Sequence, residues 1–162
     1  MDNRIDEQLT NKYQNLDVVV NKSNKFLIDH NPVLAIDFDG TIVGHNYPSI
    51  GRIKPNAKLV INKLRSLGFI IIIWSVRDTE DVYAAQDFLR ASEIKYDHFN
   101  ENSTWFWNRL KEDMRFGKAY YEPRKIYADM YIDDRGMGFV DDWLSIYEIV
   151  CTKFIGHIPE LC

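Results

Sequence analysis

VLAIDFDGTIV, residues Val33 to Val43, is an apolar run that ends in two aspartates one residue apart. Val33–Phe38 reads as a strand buried on both faces, because parallel strands are continuous in apolar residues rather than alternating. An isolated ionised carboxylate is costly to bury without a partner, so Asp37 and Asp39 require one. On a strand, positions i and i+2 share a face, which aims both carboxylates at one point. Gly40 permits a sharp turn or close backbone approach there. Thr41 adds a hydroxyl and another N–H.

The chain on either side of this run alternates between strand and helix. In KPNAKLVINKLRSLG, residues Ala57, Val60, Ile61, Leu64 and Leu67 mark one helical face, with Pro55 suited to the first turn and Gly68 to the C-cap. Phe69–Trp74 (FIIIIW) is a second buried strand, and Ser75 follows it. RDTEDVYAAQDFLRAS is a second helix, with Asp78 or Thr79 as N-cap and acids in the first turn, where the helix dipole favours them. Ile94–Phe99 is a short third strand, and Ala128–Asp134 (ADMYIDD) a fourth. DDWLSIYEIV is a last helix capped by Asp141 or Asp142. Residues 1–30 form an N-terminal extension with apolar positions near helical spacing (Ile5, Leu9, Tyr13, Leu16), ahead of a domain over 31–162. Alternating strands and helices predict an α/β fold: a three-layer, Rossmann-like parallel sheet with helices on both faces. Ligands of such sheets bind outside the carboxyl ends of the strands. Asp37 and Asp39, Ser75, and Asp133 and Asp134 all fall at such ends.

Bulk properties narrow the function classes. The 162 residues suit one domain with a real core. A net charge of −4 argues against a broad nucleic-acid-binding face. The two cysteines, Cys151 and Cys162, make no CxxC and no disulfide framework, which fits a reducing cytosol and leaves a tail bridge open. The longest apolar run is far too short to span a membrane. The polar N-terminus is unlike a signal-peptide core. The expected location is cytoplasmic.

Four carboxylates at neighbouring strand ends repel one another. At about 4 Å and an effective dielectric of about 20, each pair costs roughly 4 kcal/mol. A hard divalent cation relieves this, and Mg²⁺ prefers oxygen ligands and bridges carboxylates to phosphate. Asp37, Asp39, Asp133 and Asp134 are the candidate metal residues. A carboxylate can also attack phosphorus, which makes Asp37 a candidate nucleophile, with Asp39 as general acid and base. Ser75, Lys125 and the backbone N–H groups of Gly40, Thr41 and Val76 are candidate phosphate ligands.

DFDGT, a hydrophobic strand ending in Ser75, a lysine and YIDD, in that order, resemble the haloacid dehalogenase superfamily of phosphohydrolases across most of residues 33–150. YPSIG after the first motif and the late KIYADMYIDDRG further resemble small uncharacterised members from bacteria and phages. The resemblance implies an aspartyl-phosphate on Asp37, an acid/base at Asp39 whose backbone carbonyl also binds the metal, and phosphate ligands at Ser75 and Lys125. It places the metal end at Asp133 and Asp134. Lys125 lies closer to the last motif than the family lysine often does, and Lys118 is its rival. Between Thr41 and Ser75, and again between Ser75 and Lys125, the chain is too short for a large cap domain. The resemblance therefore implies an open site for a phosphate ester substrate, of the kind that takes large substrates or uses a partner subunit as its cap.

Other readings accompany these. Ser75 also suits a helix cap, and Asp134 a turn. His45 reads as a substrate contact or a solvated loop residue, while His30, His98 and His157 lack metal spacing. Trp105, Phe106 and Trp107 read as a stacking platform, a core or a subunit interface. Arg115, Lys118, Arg124 and Lys125, interleaved with Tyr120 and Tyr121, keep a nucleotide or nucleic-acid end phosphatase as one alternative. A catalytically idle binding domain is another, which the presence of Asp39 argues against.

Overall fold

Four short strands pair in parallel in the order β3-β2-β1-β4: β1 (Val33–Ile36), β2 (Ile70–Ile73), β3 (His98–Phe99) and β4 (Met130–Ile132). The computed structural model describes residues 26–113 and 124–161. Helices α1 (Ala57–Ser66), α2 (Thr79–Ala91), α3 (Thr104–Asp113) and α4 (Trp143–Phe154) alternate with the strands. The result is the expected α/β, Rossmann-like three-layer fold. The helix expected within residues 1–30 lies mostly outside the described residues, and 26–30 are irregular.

The residues explain the layers. β1 is buried along its whole length, and β2 consists of four isoleucines. Leu34, Ile36, Ile71 and Ile73 face the larger core with Val60, Ile61 and Leu64 of α1, Ala85 and Leu89 of α2, and Val150 and Phe154 of α4. Val33, Ala35 and Ile72 face the other way onto Ile126, Trp74 and Tyr127. Helix α3 joins this second layer through Phe106, stacked on Tyr127 at 5.4 Å. Trp105 lies between Tyr127 and His30. The aromatic run therefore packs against the protein itself.

Topology follows from handedness. The chain steps from β1 to β2 to β3 in one direction, then returns past β1 to β4. Right-handed crossovers place α1 and α2 on one face and the returning α3 on the other. The direction reverses between β1 and β4, and open α/β sheets bind ligands at such a switch point.

Element ends differ from the sequence expectations for local reasons. α1 starts after Asn56, which adopts a left-handed conformation (φ 63°), so Pro55 lies ahead of the cap rather than in the first turn. β3 is two residues long instead of six. The Asp97 carboxylate accepts the Ile71 N–H at 2.9 Å, and the Asp97 N–H donates to the Ile71 carbonyl, so a side chain closes the ladder there. Asp129 does the same to Val33, which shortens β4 at its start. Asp142, not Asp141, caps α4: it accepts the Ser145 N–H at 2.9 Å, while Asp141 pairs with Lys54. No helix among the described residues is long and apolar enough to cross a membrane.

Candidate metal and phosphate site

Asp37 directly follows β1, and its N–H donates to the Ile132 carbonyl at 2.9 Å, extending the β1–β4 pairing to the sheet's carboxyl edge. That bond places Asp37 beside Asp133 and Asp134, which follow β4. Carboxylate oxygens of these three residues lie within 4.8 Å of one another. Burial, then the charges of Asp133 and Asp134, push the Asp37 carboxyl up to about 6, against the Phe38 N–H and the Thr41 hydroxyl.

Thr41 ties the two strand ends together. Its hydroxyl donates to Asp37 Oδ2 at 3.1 Å and accepts the Asp134 N–H at 3.0 Å. Its carbonyl accepts the Trp143 indole N–H at 3.1 Å, so the first residue of α4 supports the turn from below. Gly40, at φ +97°, lets the turn pass; a Cβ there would lie 2.7 Å from Asp134 Oδ2. Asp133 Oδ1 accepts the Arg135 N–H. Asp134 Oδ2 takes His45 Nε2 at 2.8 Å, whereas Asp134 Oδ1 is buried with no hydrogen-bond partner.

These residues fit a hard divalent cation. The donor set is all carboxylate oxygen, which suits Mg²⁺. A buried carboxylate oxygen without a partner is the group that such an ion would satisfy. Asp37, Asp133 and Asp134 would hold it.

Asp39 does not join them. β1 ends at Ile36, so the shared-face rule for i and i+2 no longer applies at 37 and 39. The Asp39 carboxylate instead receives Arg77 Nε at 2.6 Å and Nη2 at 2.8 Å, a bidentate pair. The Arg77 side chain is fully buried. It also donates to the carbonyls of Pro48 and Ser49, both at 2.9 Å, which ties the loop after the first motif to the acid. The expected cluster of four carboxylates is thus a group of three plus one neutralised by arginine.

The remaining candidates are placed as follows. Ser75 is buried at the end of β2, and its hydroxyl accepts the Arg77 N–H at 3.2 Å. The Asn100 side-chain amide clamps Ser75 from both sides, accepting its N–H at 2.7 Å and donating to its carbonyl at 2.8 Å. The Val76 side chain is 89% exposed. Lys125 is exposed, with Nζ 5.1 Å from the Tyr131 ring centre. No ion pair joins it to the acidic group among the described residues, and Lys118 lies outside them.

Sequence reasoning missed Arg77 and Asn100. Arg77 was visible as a cation two residues past Ser75, but it reads there as the lead into a helix. Asn100 carries a signal in its type, since asparagine tolerates the left-handed backbone it adopts (φ 53°).

No family model matches the chain, and no curated protein matches it. A solved structure does: a conserved protein coded by a locus of Bacteroides thetaiotaomicron, 35% identical, with a TM-score of 0.63. The match covers 76% of this chain and 93% of that one. At that identity over nearly the whole of the other protein, this chain belongs to the same family as that conserved Bacteroides thetaiotaomicron protein.

Proposed function

We propose that this protein is a Mg²⁺-dependent phosphohydrolase of the haloacid dehalogenase type, acting on a phosphate monoester. The observation that carries the reading is the meeting of Asp37, Asp133 and Asp134 at the β1/β4 switch point, with one buried Asp134 oxygen unpartnered. The ion would supply charge neutralisation for the three acids and for the phosphoryl oxygens.

The chain's own groups account for the chemistry. Asp37 attacks phosphorus through a carboxylate oxygen, the P–O bond to the alcohol breaks, and an aspartyl-phosphate forms. The Thr41 hydroxyl and the Phe38 N–H hold Asp37 in place. Asp39, after one Arg77 hydrogen bond has yielded and the freed oxygen has taken a proton from solvent, would give that proton to the leaving alcohol and, as the carboxylate again, take one from the water that cleaves the intermediate. Its carboxylate is presented by Arg77, so each transfer requires one Arg77–Asp39 hydrogen bond to yield. Arg77 is therefore a positioning residue for Asp39. In this reading the Ser75 hydroxyl and neighbouring backbone N–H groups receive the phosphoryl oxygens. The described thiol, Cys151, is buried and free, which suits a reducing cytosol.

The test is phosphate release from a broad panel of phosphate esters with Mg²⁺. The expected result is turnover by the wild type, lost in Asp37→Asn and on chelation. Equal rates for wild type and Asp37→Asn across the panel would overturn the reading.

A further inference from the structure

His45 lies on the loop that follows the first motif, five residues past Gly40 and far in sequence from Asp134. Its ring is 57% exposed, yet its Nε2 reaches the largely buried Asp134 carboxylate at 2.8 Å. That carboxylate accepts on Oδ2, so Nε2 carries the proton and donates. The other oxygen, Oδ1, is the buried atom with no partner. A carboxylate can rotate about its last bond. With the main chain of Asp134 held by Thr41 and Oδ2 held by His45, the carboxylate has one oxygen tied and one left over for a ligand, beside Asp37 and Asp133.

Two glycines make room for this contact. A Cβ on Gly40 would lie 2.3 Å from His45 Nε2, so the imidazole occupies the space that any other residue at position 40 would fill. The loop is closed at its base by the Gly44 N–H, which donates to the Arg52 carbonyl at 2.9 Å. At Gly51 the strands of the loop run so close that a Cβ would lie 1.9 Å from the Gly44 carbonyl oxygen. His45 thus leaves a pinned base and folds back over a side-chain-free turn. A hydrogen bond from a half-exposed ring contributes little to stability, so the loop's construction points to a role other than holding the fold.

We propose that His45 is a positioning residue for the metal site, fixing one oxygen of Asp134 so that the other is presented to the cation. The proposal rests on the metal reading above and adds the outer contact that orients a metal-bound carboxylate. Loss of such contacts typically weakens metal binding about 10–100-fold.

Mn²⁺ binding, followed by the loss of free-ion paramagnetic resonance signal without any substrate, tests it. The wild type is expected to bind, and Asp133→Asn to abolish binding. His45→Ala is expected to weaken binding about 10–100-fold while leaving the metal-free melting temperature unchanged. His45→Gln keeps an N–H donor near the same place and should restore binding to within a few fold. His45→Phe keeps a ring without the donor and should behave as His45→Ala. If the wild type and His45→Ala bind equally while Asp133→Asn does not, the role of His45 is overturned and the metal site stands. If the wild type does not bind, or Asp133→Asn binds as well as wild type, both are overturned.

Discussion

The two ends of the sheet each carry aspartates, and they use them in opposite ways. At the amino end, Asp97 accepts the Ile71 N–H and pairs with Arg65 at 2.9 Å, and Asp129 accepts the Val33 N–H and pairs with His30 at 3.1 Å. Every such carboxylate has a donor from the main chain and a basic partner. At the carboxyl end, Asp37, Asp133 and Asp134 face one another, and one oxygen of Asp134 has no partner. A cavity of about 460 Å³, lined by His30, Arg65, Asp97 and Trp105 among others, lies at the amino end. A cavity by itself does not mark that end as the site. The acids themselves favour the other end for the proposed site, because the clustered carboxylates and the unpartnered Asp134 oxygen are what a cation would complete. Asp39, at the carboxyl end, shares the basic partner of the amino-end acids, since Arg77 takes both its oxygens.

Substitution on both ends can break this contrast. The largest effect is expected from Asp37→Asn, which should cut phosphate release by about 10³-fold or more, as loss of a covalent nucleophile does. Asp97→Ala should leave kcat within a few fold of wild type. Equal losses of turnover at the two ends would erase the distinction.

Arg77→Ala comes next. It leaves the buried Asp39 charge unpaired and the Pro48 and Ser49 carbonyls without their donor, for a loss of about 3–5 kcal/mol in urea unfolding. Arg77→Lys keeps the charge but not the fork. It should unfold closer to wild type while kcat falls and the pH profile of kcat moves, which a purely structural arginine would not cause.

Asp97→Ala and Asp129→Ala should each destabilise the fold by about 1–3 kcal/mol, because each leaves a strand-end N–H without its acceptor. Mg²⁺ should change neither loss. A Mg²⁺-dependent loss in either variant would mean that the amino end also holds the ion.

The smallest effect is on pH dependence. The Asp37 carboxyl is raised from 3.8 to about 6. A group raised in the folded state supports stability fully below about pH 4, and that support is lost as pH rises through 6. Without metal, Asp37→Asn should therefore match wild type near pH 4 and exceed it at pH 7. Discounted for partial solvent access, the gain is on the order of 1–2 kcal/mol. Mg²⁺ at pH 7 should raise the melting temperature of wild type and not of Asp37→Asn. The same gain at pH 4 and pH 7 would remove burial of the charge as its cause.

What could be read from the chain was what local pattern controls. Continuous apolar runs marked β1 and β2, because a strand covered on both faces needs side chains of that kind at every position. The helical spacing of Ala57, Val60, Ile61 and Leu64 marked α1 for the same reason of burial. Strand-end position then singled out Asp37, Asp39, Asp133 and Asp134, since in a parallel sheet those ends share one edge, and all but Asp39 do meet.

Tertiary structure alone decided how far each strand runs and which acids go together. Asp97 and Asp129 end their ladders with side-chain bonds to distant strands, which no local window contains. Asp39 parts from Asp37 because the strand stops at Ile36 and a buried arginine 38 positions away offers a charge-matched fork. His45 meets Asp134 across 89 residues only because Gly40 leaves the space empty. Periodicity reports which side chains are removed from water. The pairing of polar groups once they are removed depends on distances between segments, and those exist only in the folded chain.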